Sequence, residues 1–277
     1  MAYRGRLAPT PTGYLHLGHA RTFWQAQQRA ETFQGTLILR VEDLDRDRCK
    51  PHYYSDMIED LQWLGCRWQE GPDVGGDYGP YCQRDRTSHY QQVWQQLNCK
   101  QVIYPSPHSR KAVARAISAP HEGDREIVFP PSLRPSEWKT VSAPGEMNWR
   151  FRVPDGESIT FTDKNYGPQS FIAGKDFGDF FVWRRDGYVS YELAVVADDH
   201  AMEITEVVRG EDLLLSTAKQ ILLYRAMDWA IPNFYHCPLV RDGTGQRLAK
   251  RDGARSVRSL REQGTTPTEI QNISLAT

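Results

Sequence analysis

Hydrophobic and polar positions follow two different periods along the first part of the chain. The segment around Arg6–Ala8 predicts a short buried strand, which Pro9 and Pro11 end. A helix is predicted from about Gly18 to Thr32, and Gly35 closes it. The alternating, β-former-rich stretch Thr36–Glu42 predicts a second strand. Strand, glycine-containing turn, helix and strand in this order form a βαβ unit, which builds a parallel sheet.

The rest of the pattern predicts further elements of both kinds. In chain order these are helices over Tyr53–Leu64 and Arg84–Leu97 separated by a turn-rich loop (Gly71–Tyr81), strands over Asn148–Val153, Ser158–Thr162, Tyr191–Ala197 and Ile204–Arg209, and a helix over Ser216–Met227. Ser216 or Thr217 could cap that last helix. The tail from Gly264 is polar, and we expect it to fray.

Residues 100–190 differ in character from what surrounds them, because prolines cluster there between short strands. We therefore predict an α/β fold, a Rossmann-type doubly wound parallel sheet with an inserted α+β subdomain. The predicted division is a first half of the Rossmann domain at 1–99, the insertion at 100–190, the second half at 191–240, and a loop with a C-terminal segment at 241–277.

The composition is that of an ordinary globular protein, with 39% hydrophobic and 25% charged residues and a formal net charge of −1. A nucleic acid must therefore bind through a local basic patch. No apolar run is long enough to span a membrane, and the first residues lack a signal-peptide pattern. The five scattered cysteines suggest no disulfide framework and favour a reducing cytoplasm. A monomer is the default expectation.

The stretch Pro9–His19 is the strongest candidate for chemistry. A strand ends, a proline-fixed turn follows, and His16 and His19 open a helix. The free N–H groups at a helix start attract phosphate, and Gly18 would allow a ligand to approach the backbone closely. Histidine can donate hydrogen bonds to phosphate oxygens as negative charge builds on them. Two histidines without function are the alternative, which the βαβ context disfavours.

A second candidate is the basic stretch Arg247–Arg251, which glycines flank. Three cations on such a loop suit a triphosphate, and Lys250 would act as a point charge on a leaving pyrophosphate. Taken alone, this stretch fits a solvated basic loop equally well.

The third candidate is acidic, in Leu39–Asp45, at the carboxyl end of the second predicted strand. Ligands bind at that end in doubly wound sheets, and one carboxylate there could hold an ammonium group. The alternative is a set of helix-capping acids, which Asp45 and Asp47 fit well.

The fourth candidate combines Tyr191 with the segment Val208–Asp212. Here a predicted strand ends in Arg209, which could clamp a carboxylate with two parallel hydrogen bonds. The alternative is a surface ion pair of Arg209 with Glu206 or Asp212.

Taken together and in order, these motifs resemble the class I aminoacyl-tRNA synthetases of the glutamyl subfamily. The resemblance runs from about residue 4 to 253 and rests on residues 6–21, 39–43, 197–200, 208–213 and 247–251. Since the chain stops soon after the last motif, it also resembles the truncated glutamyl-queuosine tRNA(Asp) synthetases, as does the segment Trp183–Gly187. That family activates glutamate with ATP and transfers it to queuosine at the wobble position of tRNA(Asp).

The resemblance implies a role for each motif residue. Glutamate would be held by Arg6, Thr10, Glu42, Tyr191 and Arg209, with Glu42 on the α-ammonium and the arginines on the carboxylates. ATP, expected with Mg²⁺, would be bound by His16, Gly18, His19, Arg247 and Lys250. The implied catalytic residues are His16, His19 and Lys250. They act by positioning and charge neutralisation during in-line attack on the α-phosphate, without a dedicated acid or base.

Two departures from the family pattern stand out. Many members hold zinc in the insertion, but the matching positions here are Ser106, His108, Phe129 and Leu133. Structural zinc needs four ligands, so we predict no zinc. The basic loop has Ala249 where the family usually has serine, which removes a hydrogen bond worth on the order of 1 kcal/mol, and Arg247 where it usually has lysine.

Two other functions remain open from the sequence. One is a free-standing glutamate-activating ligase that loads a different acceptor. The other is a degenerate synthetase core that only binds tRNA, against which the intact motif residues argue.

Overall fold

The structure is a computed structural model that describes residues 2–109, 128–240 and 256–276. Its helices are α1 (Leu17–Thr32), α2 (Pro51–Trp63), α3 (Thr87–Cys99), α4 (Tyr191–Ala201), α5 (Leu214–Ala226), α6 (Val257–Glu262) and α7 (Pro267–Ala276). Its strands are β1 (Arg4–Leu7), β2 (Thr36–Leu39), β3 (Ile103–Ser106), β4 (Asn148–Phe151), β5 (Ser158–Asp163), β6 (Gly167–Ile172), β7 (Phe180–Trp183), β8 (Glu206–Gly210) and β9 (Asn233–Cys237).

The predicted βαβ unit is confirmed. Strands β1 and β2 pair in parallel, from Arg4 opposite Thr36 to Leu7 opposite Leu39. Helix α1 connects them and buries one apolar face, which includes Leu17, Ala20 and Phe23. The second strand is shorter than predicted, because β2 ends at Leu39 and the chain then makes a single parallel bridge at Val41.

The parallel sheet continues through the C-terminal half of the chain. Strands β8 and β9 pair in parallel, and the N–H of Thr205 donates to the carbonyl of Arg4 at 2.9 Å, next to β1. Strand β5 joins the other edge of β9 in parallel, and β6 follows it antiparallel. Strands β3, β4 and β7 form a separate antiparallel sheet. The predicted α/β class with a parallel sheet is therefore confirmed, while the division into domains stays a prediction.

The predicted strand over Tyr191–Ala197 is wrong, because this stretch is helix α4. Ser190 caps it, since its Oγ accepts a hydrogen bond from the N–H of Leu193 at 3.3 Å. Every residue from Leu193 to Asp199 is buried. A helix that is buried on all sides lacks an amphipathic period, so a short apolar run of this kind resembles a buried strand.

Two predictions about helix ends are also wrong. Helix α5 begins after Leu213, which makes no side-chain cap, and the hydroxyls of Ser216 and Thr217 bond elsewhere. The tail from Gly264 forms helix α7, where Glu269 Oε2 accepts from the N–H of Thr266 at 2.7 Å and Thr266 Oγ1 accepts from the N–H of Glu269 at 3.3 Å. This reciprocal pair is a capping box, a signal that the polar composition of the tail hides.

The acidic residues before α2 do not cap that helix. Its N-cap is Lys50 and its first residue is Pro51, a position that tolerates proline because the first N–H groups of a helix have no partner within it. Asp45 instead accepts from the N–H of Arg48 at 3.3 Å. No helix within the described ranges has the length and apolar character that a bilayer crossing requires.

Candidate active site

The carboxyl ends of β1 and β8 and the start of α1 open onto a cavity of about 620 Å³. The sequence-predicted residues that line it are Arg6, Thr10, His16, Gly18, His19, Glu42, Tyr191 and Arg209. They come from opposite ends of the chain and meet because parallel strands end at the same edge of a sheet. The cavity therefore brings together every predicted glutamate residue and the first predicted ATP motif, whose roles stay proposals.

The two histidines form a stacked pair at the start of α1. Their ring centroids are 3.7 Å apart, and the backbone N–H of His16 donates to Nδ1 of His19 at 3.3 Å. Because Nδ1 of His19 accepts, the neutral ring carries its proton on Nε2. A Cβ added to Gly18 would lie 3.1 Å from Cε1 of His16, so glycine leaves room for this stack. The arrangement supplies hydrogen-bond donors at the positive end of a helix dipole.

Glu42 is held from behind by Arg40, which is fully buried. Arg40 Nη2 donates to Glu42 Oε1 at 3.0 Å, and its Nη1 donates to Asp199 Oδ1 at 2.6 Å. Burial raises the pKa of Glu42, although the charges of Arg40 and Arg6 act against this rise. Glu42 therefore has a costly negative charge at the cavity wall, which a cationic group would stabilise.

The same network extends to a second layer behind the cavity. Asp198 Oδ1 accepts from Arg86 Nε at 2.6 Å, and its Oδ2 accepts from the hydroxyl of Tyr90 at 2.9 Å. Arg6 Nη1 donates to the carbonyl of Val208 at 2.9 Å, while its Nε lies 3.4 Å from Asp199 Oδ1. Three arginines thus balance three carboxylates, namely Arg6, Arg40 and Arg86 against Glu42, Asp198 and Asp199.

Arg209 has different surroundings, and the surface ion pair considered for it is wrong. Its side chain is buried, and Glu206 pairs with Arg29 instead, at 2.7 Å from Nη2. Its N–H groups donate to His236 Nε2, Gln220 Oε1, Thr217 Oγ1 and the carbonyl of Leu213. Within the described chain these acceptors are uncharged and engage four of its five N–H groups.

A two-bond clamp by Arg209 does not fit this arrangement, because the described residues leave one N–H for a ligand. One charge-assisted hydrogen bond, with a guanidinium fixed by neutral acceptors, is what Arg209 offers.

Tyr191 and Thr10 complete the cavity on its solvent side. Tyr191 is 36% exposed. Desolvation of its hydroxyl raises the pKa of that group to about 12. The hydroxyl is therefore neutral at physiological pH and can donate a hydrogen bond. Thr10 is exposed and follows Pro9, whose carbonyl accepts from the N–H of Glu42 at 2.9 Å. This bond ties the turn after β1 to the carboxylate.

The predicted ATP residues Arg247 and Lys250 lie outside the described residues, so their role stays a prediction. The described chain leaves the cavity wall at Val240. It resumes with Ser256 bridged to His16, and the N–H of Val257 donates to the carbonyl of Leu15 at 2.7 Å. Val240 thus lines the cavity, and Ser256 pairs with His16, which also lines it.

The positions that match a zinc site in the resembling family surround an arginine instead. The guanidinium carbon of Arg150 lies 4.2 Å from the ring centre of Phe129 and 3.8 Å from that of Phe181. Arg150 also donates to Ser106 Oγ at 3.4 Å and to the carbonyl of His108 at 3.3 Å. Leu133 packs against the small apolar cluster that Phe129 forms with Tyr104. Among the described residues, histidines, cysteines and carboxylates form no cluster of three suited to a metal.

Comparison with known proteins identifies the family. Residues 2–275 match the model of the class I tRNA synthetases (E and Q), catalytic domain. The chain belongs to this family. It is 46% identical to the glutamyl-Q tRNA(Asp) synthetase of Symbiobacterium thermophilum and 41% identical to that of Nitratidesulfovibrio vulgaris. Each alignment covers 96% of this chain and 83% of the relative. The resemblance found in the sequence is thus confirmed.

A solved structure supports the same assignment. The glutamate tRNA ligase of Elizabethkingia meningosepticum, in complex with its amino acid, superimposes with a TM-score of 0.77 at 32% identity. The match covers 91% of this chain and 53% of the ligase, so the chain spans about half the length of that enzyme.

Several residues that lie behind this synthetase cavity carry no role in the sequence-based prediction. Arg40, Asp198 and Asp199 lie inside quoted motifs, and His236 and Gln220 lie outside them. The sequence does contain a signal for the two aspartates, because they lie within the apolar stretch 191–201. A buried charge is nearly always paired, so their position predicts buried cationic partners. Nothing local marks His236, whose partners are distant in the chain.

Proposed function

We propose that this chain activates glutamate with ATP to form glutamyl-adenylate and then transfers the glutamyl group to queuosine at the wobble position of tRNA(Asp). The observation that carries the proposal is the single cavity that joins Glu42, Tyr191 and Arg209 to the histidine pair at the start of α1. The names of the relatives from Symbiobacterium thermophilum and Nitratidesulfovibrio vulgaris supply the acceptor.

Glutamate fits the charges of the cavity wall. Its α-ammonium would lie against Glu42, whose ionised form has few compensating partners beyond Arg40 and Arg6. Arg209 would donate one charge-assisted hydrogen bond to a carboxylate, and Tyr191 and Thr10 would add neutral donors. Arg6 contributes positive charge from the second side of the cavity.

ATP would bind at the start of α1. Phosphate oxygens would accept from backbone N–H groups there and from Nε2 of His19, while Gly18 lets them approach closely. A carboxylate oxygen of glutamate attacks the α-phosphorus, the bond to the β-phosphate oxygen breaks, and pyrophosphate leaves. A hydroxyl of the acceptor then attacks the acyl carbon and AMP leaves. Positioning and charge neutralisation supply the rate enhancement.

We expect Mg²⁺ to enter with ATP on its phosphate oxygens, since the described residues provide no carboxylate cluster for it. Lys250 and Arg247 are proposed as additional phosphate ligands. We infer a monomer in the cytoplasm, where tRNA is present and where the five free cysteines would stay reduced.

Glutamate-dependent exchange of labelled pyrophosphate into ATP tests the first step, without tRNA. We expect exchange with glutamate and little with aspartate or glutamine. Absence of exchange, together with absence of ATP binding by calorimetry, would show a degenerate core and overturn the enzymatic proposal.

Charging of tRNA(Asp) with labelled glutamate tests the acceptor. Matched tRNA(Asp) samples, with queuosine and with unmodified guanosine at the wobble position, provide the comparison. We expect label only on the modified sample, and periodate treatment of the queuosine diol should abolish it. Equal charging of both samples, or charging of another RNA alone, would replace queuosine by a different acceptor.

A further inference from the structure

A buried pair of side chains lies behind Arg209, on the side away from the cavity. His236 on β9 is fully buried, and Asp163 at the end of β5 is 1% exposed. Nδ1 of His236 lies 2.6 Å from Asp163 Oδ2, and Nε2 of His236 lies 3.2 Å from Nε of Arg209. Neither residue lines the cavity, so neither can touch the substrate directly.

The direction of these hydrogen bonds follows from the chemistry of the donors. The Nε of a guanidinium can only donate, so Nε2 of His236 must accept and carries no proton. The neutral ring then has its proton on Nδ1 and donates it to Asp163. Burial, reinforced by the charge of Arg209, lowers the pKa of His236 to about 4, so the ring stays neutral at physiological pH.

Asp163 is itself fixed from several sides. Its Oδ1 accepts from the backbone N–H groups of Asn165 at 3.0 Å and Tyr166 at 2.9 Å. Its Oδ2 also accepts from the backbone N–H of His236 at 3.2 Å. The Nδ2 of Asn165 donates to the carbonyl of His236 at 2.9 Å, so the two strands are locked together at this point. The carboxylate is thus a rigid reference for the ring.

We propose that Asp163 and His236 are positioning residues: Asp163 sets the tautomer of His236, and His236 in turn sets the orientation of Arg209, and through it the affinity and selectivity for glutamate. This inference rests on the proposed role of Arg209 in binding a substrate carboxylate. The described residues leave Arg209 one N–H for a ligand, so a small rotation of the guanidinium moves the hydrogen bond that it offers. Such a bond depends on orientation more strongly than the attraction between charges does.

The substitution Asp163→Asn reverses the hydrogen bond at Nδ1 of His236, and it also removes the Oδ2 acceptor of the His236 backbone N–H. The asparagine Oδ1 stays on the backbone N–H groups of Asn165 and Tyr166, so its Nδ2 faces Nδ1 of His236 and donates to it. The ring proton must then move to Nε2, where it meets the N–H of Arg209. Arg209 loses an acceptor, while the volumes of both side chains are nearly unchanged.

Pyrophosphate exchange kinetics provide the functional readout. For Asp163→Asn we expect the KM for glutamate to rise about tenfold, the KM for ATP to stay, and the preference for glutamate over glutamine to fall. His236→Gln, which returns an acceptor near the place of Nε2, should recover most of the loss seen with His236→Leu. The exposed neighbour Lys164→Gln serves as the matched control on the same strand end.

Nitrogen-15 NMR of histidine-labelled protein reads the tautomer without substrate, with His236→Gln used to assign the signal. We expect a protonated Nδ1 in the wild type and a protonated Nε2 in Asp163→Asn. A wild-type ring protonated at Nε2, or equal rises of both KM values, would overturn the inference. Failure of wild-type exchange would refute the proposed function alone, and the NMR result would still decide the tautomer.

Discussion

Replacing Glu42 by glutamine isolates its negative charge from its shape. The amide oxygen can still accept from Arg40 Nη2, which lies 3.0 Å from Glu42 Oε1. What disappears is the charge that we expect to hold the α-ammonium of glutamate. Removing one partner of a buried, hydrogen-bonded charge pair costs about 2–5 kcal/mol, which corresponds to a fall of roughly 30- to 5,000-fold in kcat/KM for glutamate.

The same substitution should not destabilise the free protein. Burial raises the pKa of Glu42 in the folded state, so folding favours the protonated form. For a carboxyl with a raised pKa, the contribution to stability is present below the unfolded pKa and is lost as pH rises through the folded pKa. As pH rises through the folded pKa the charge of Glu42 increasingly opposes folding, so Glu42→Gln should unfold at the same or a higher temperature than the wild type.

Exchange kinetics and thermal unfolding, measured on the same preparations at pH 7, test both halves of this prediction. Glu42→Asp is the matched control for charge, since it keeps the carboxylate on a shorter stem. A normal KM for glutamate in Glu42→Gln would refute the ammonium-binding role. A loss of activity accompanied by a fall of several degrees in Tm would show that Glu42 acts mainly through the fold.

Three further changes probe separate parts of the molecule. Gly18→Ala should raise the KM for ATP by about three- to tenfold in exchange kinetics while the KM for glutamate stays, because its Cβ would meet the ring of His16 at 3.1 Å; equal effects on both substrates would refute this. Burial raises the pKa of Asp60 to about 6, despite the nearby Arg258, so its contribution to stability is lost as pH rises through that value. Asp60→Asn should therefore raise the free energy of urea unfolding by about 1–2 kcal/mol at pH 8 and leave it unchanged at pH 3, below both pKa values; a gain that does not depend on pH would contradict this. Arg150→Met should lower the free energy of urea unfolding by about 2 kcal/mol, because hydrogen bonds and aromatic contacts are lost. The wild-type unfolding curve should be the same with and without a chelator. A shift of that curve caused by the chelator would reveal a bound metal.

The first half of the site was predictable because its signals are local. The strand, turn and helix that present His16, Gly18 and His19 lie within about thirty residues of sequence, and the chemistry of a helix start follows from the backbone. Glu42 was identifiable for a similar reason, since ligands bind at the ends of parallel strands.

The second half depends on contacts that no local pattern encodes. Arg40 and Asp199 are 159 residues apart in the chain, and their hydrogen bond requires helix α4 where an apolar run indicated a strand. Asp163 and His236 are 73 residues apart and meet only because β5 joins the edge of β9. Tertiary pairing of this kind overrides local propensity, so the sequence identified Arg209 without identifying what orients it.

Two kinds of arginine lie at the cavity and directly behind it, and the difference between them bears on the substrate. Arg40 pairs with carboxylates, and its charge is neutralised before any ligand arrives. Arg209 is equally buried, but its hydrogen bonds within the described chain go to uncharged acceptors. A buried cation without a bonded carboxylate is costly, and an anionic ligand that pairs with it recovers part of that cost. We propose that Arg209 takes the side-chain carboxylate of glutamate; glutamine, whose side chain is neutral, would then lack this pairing. We therefore expect selectivity to depend on the state of Arg209 in the free protein as much as on the shape of the cavity.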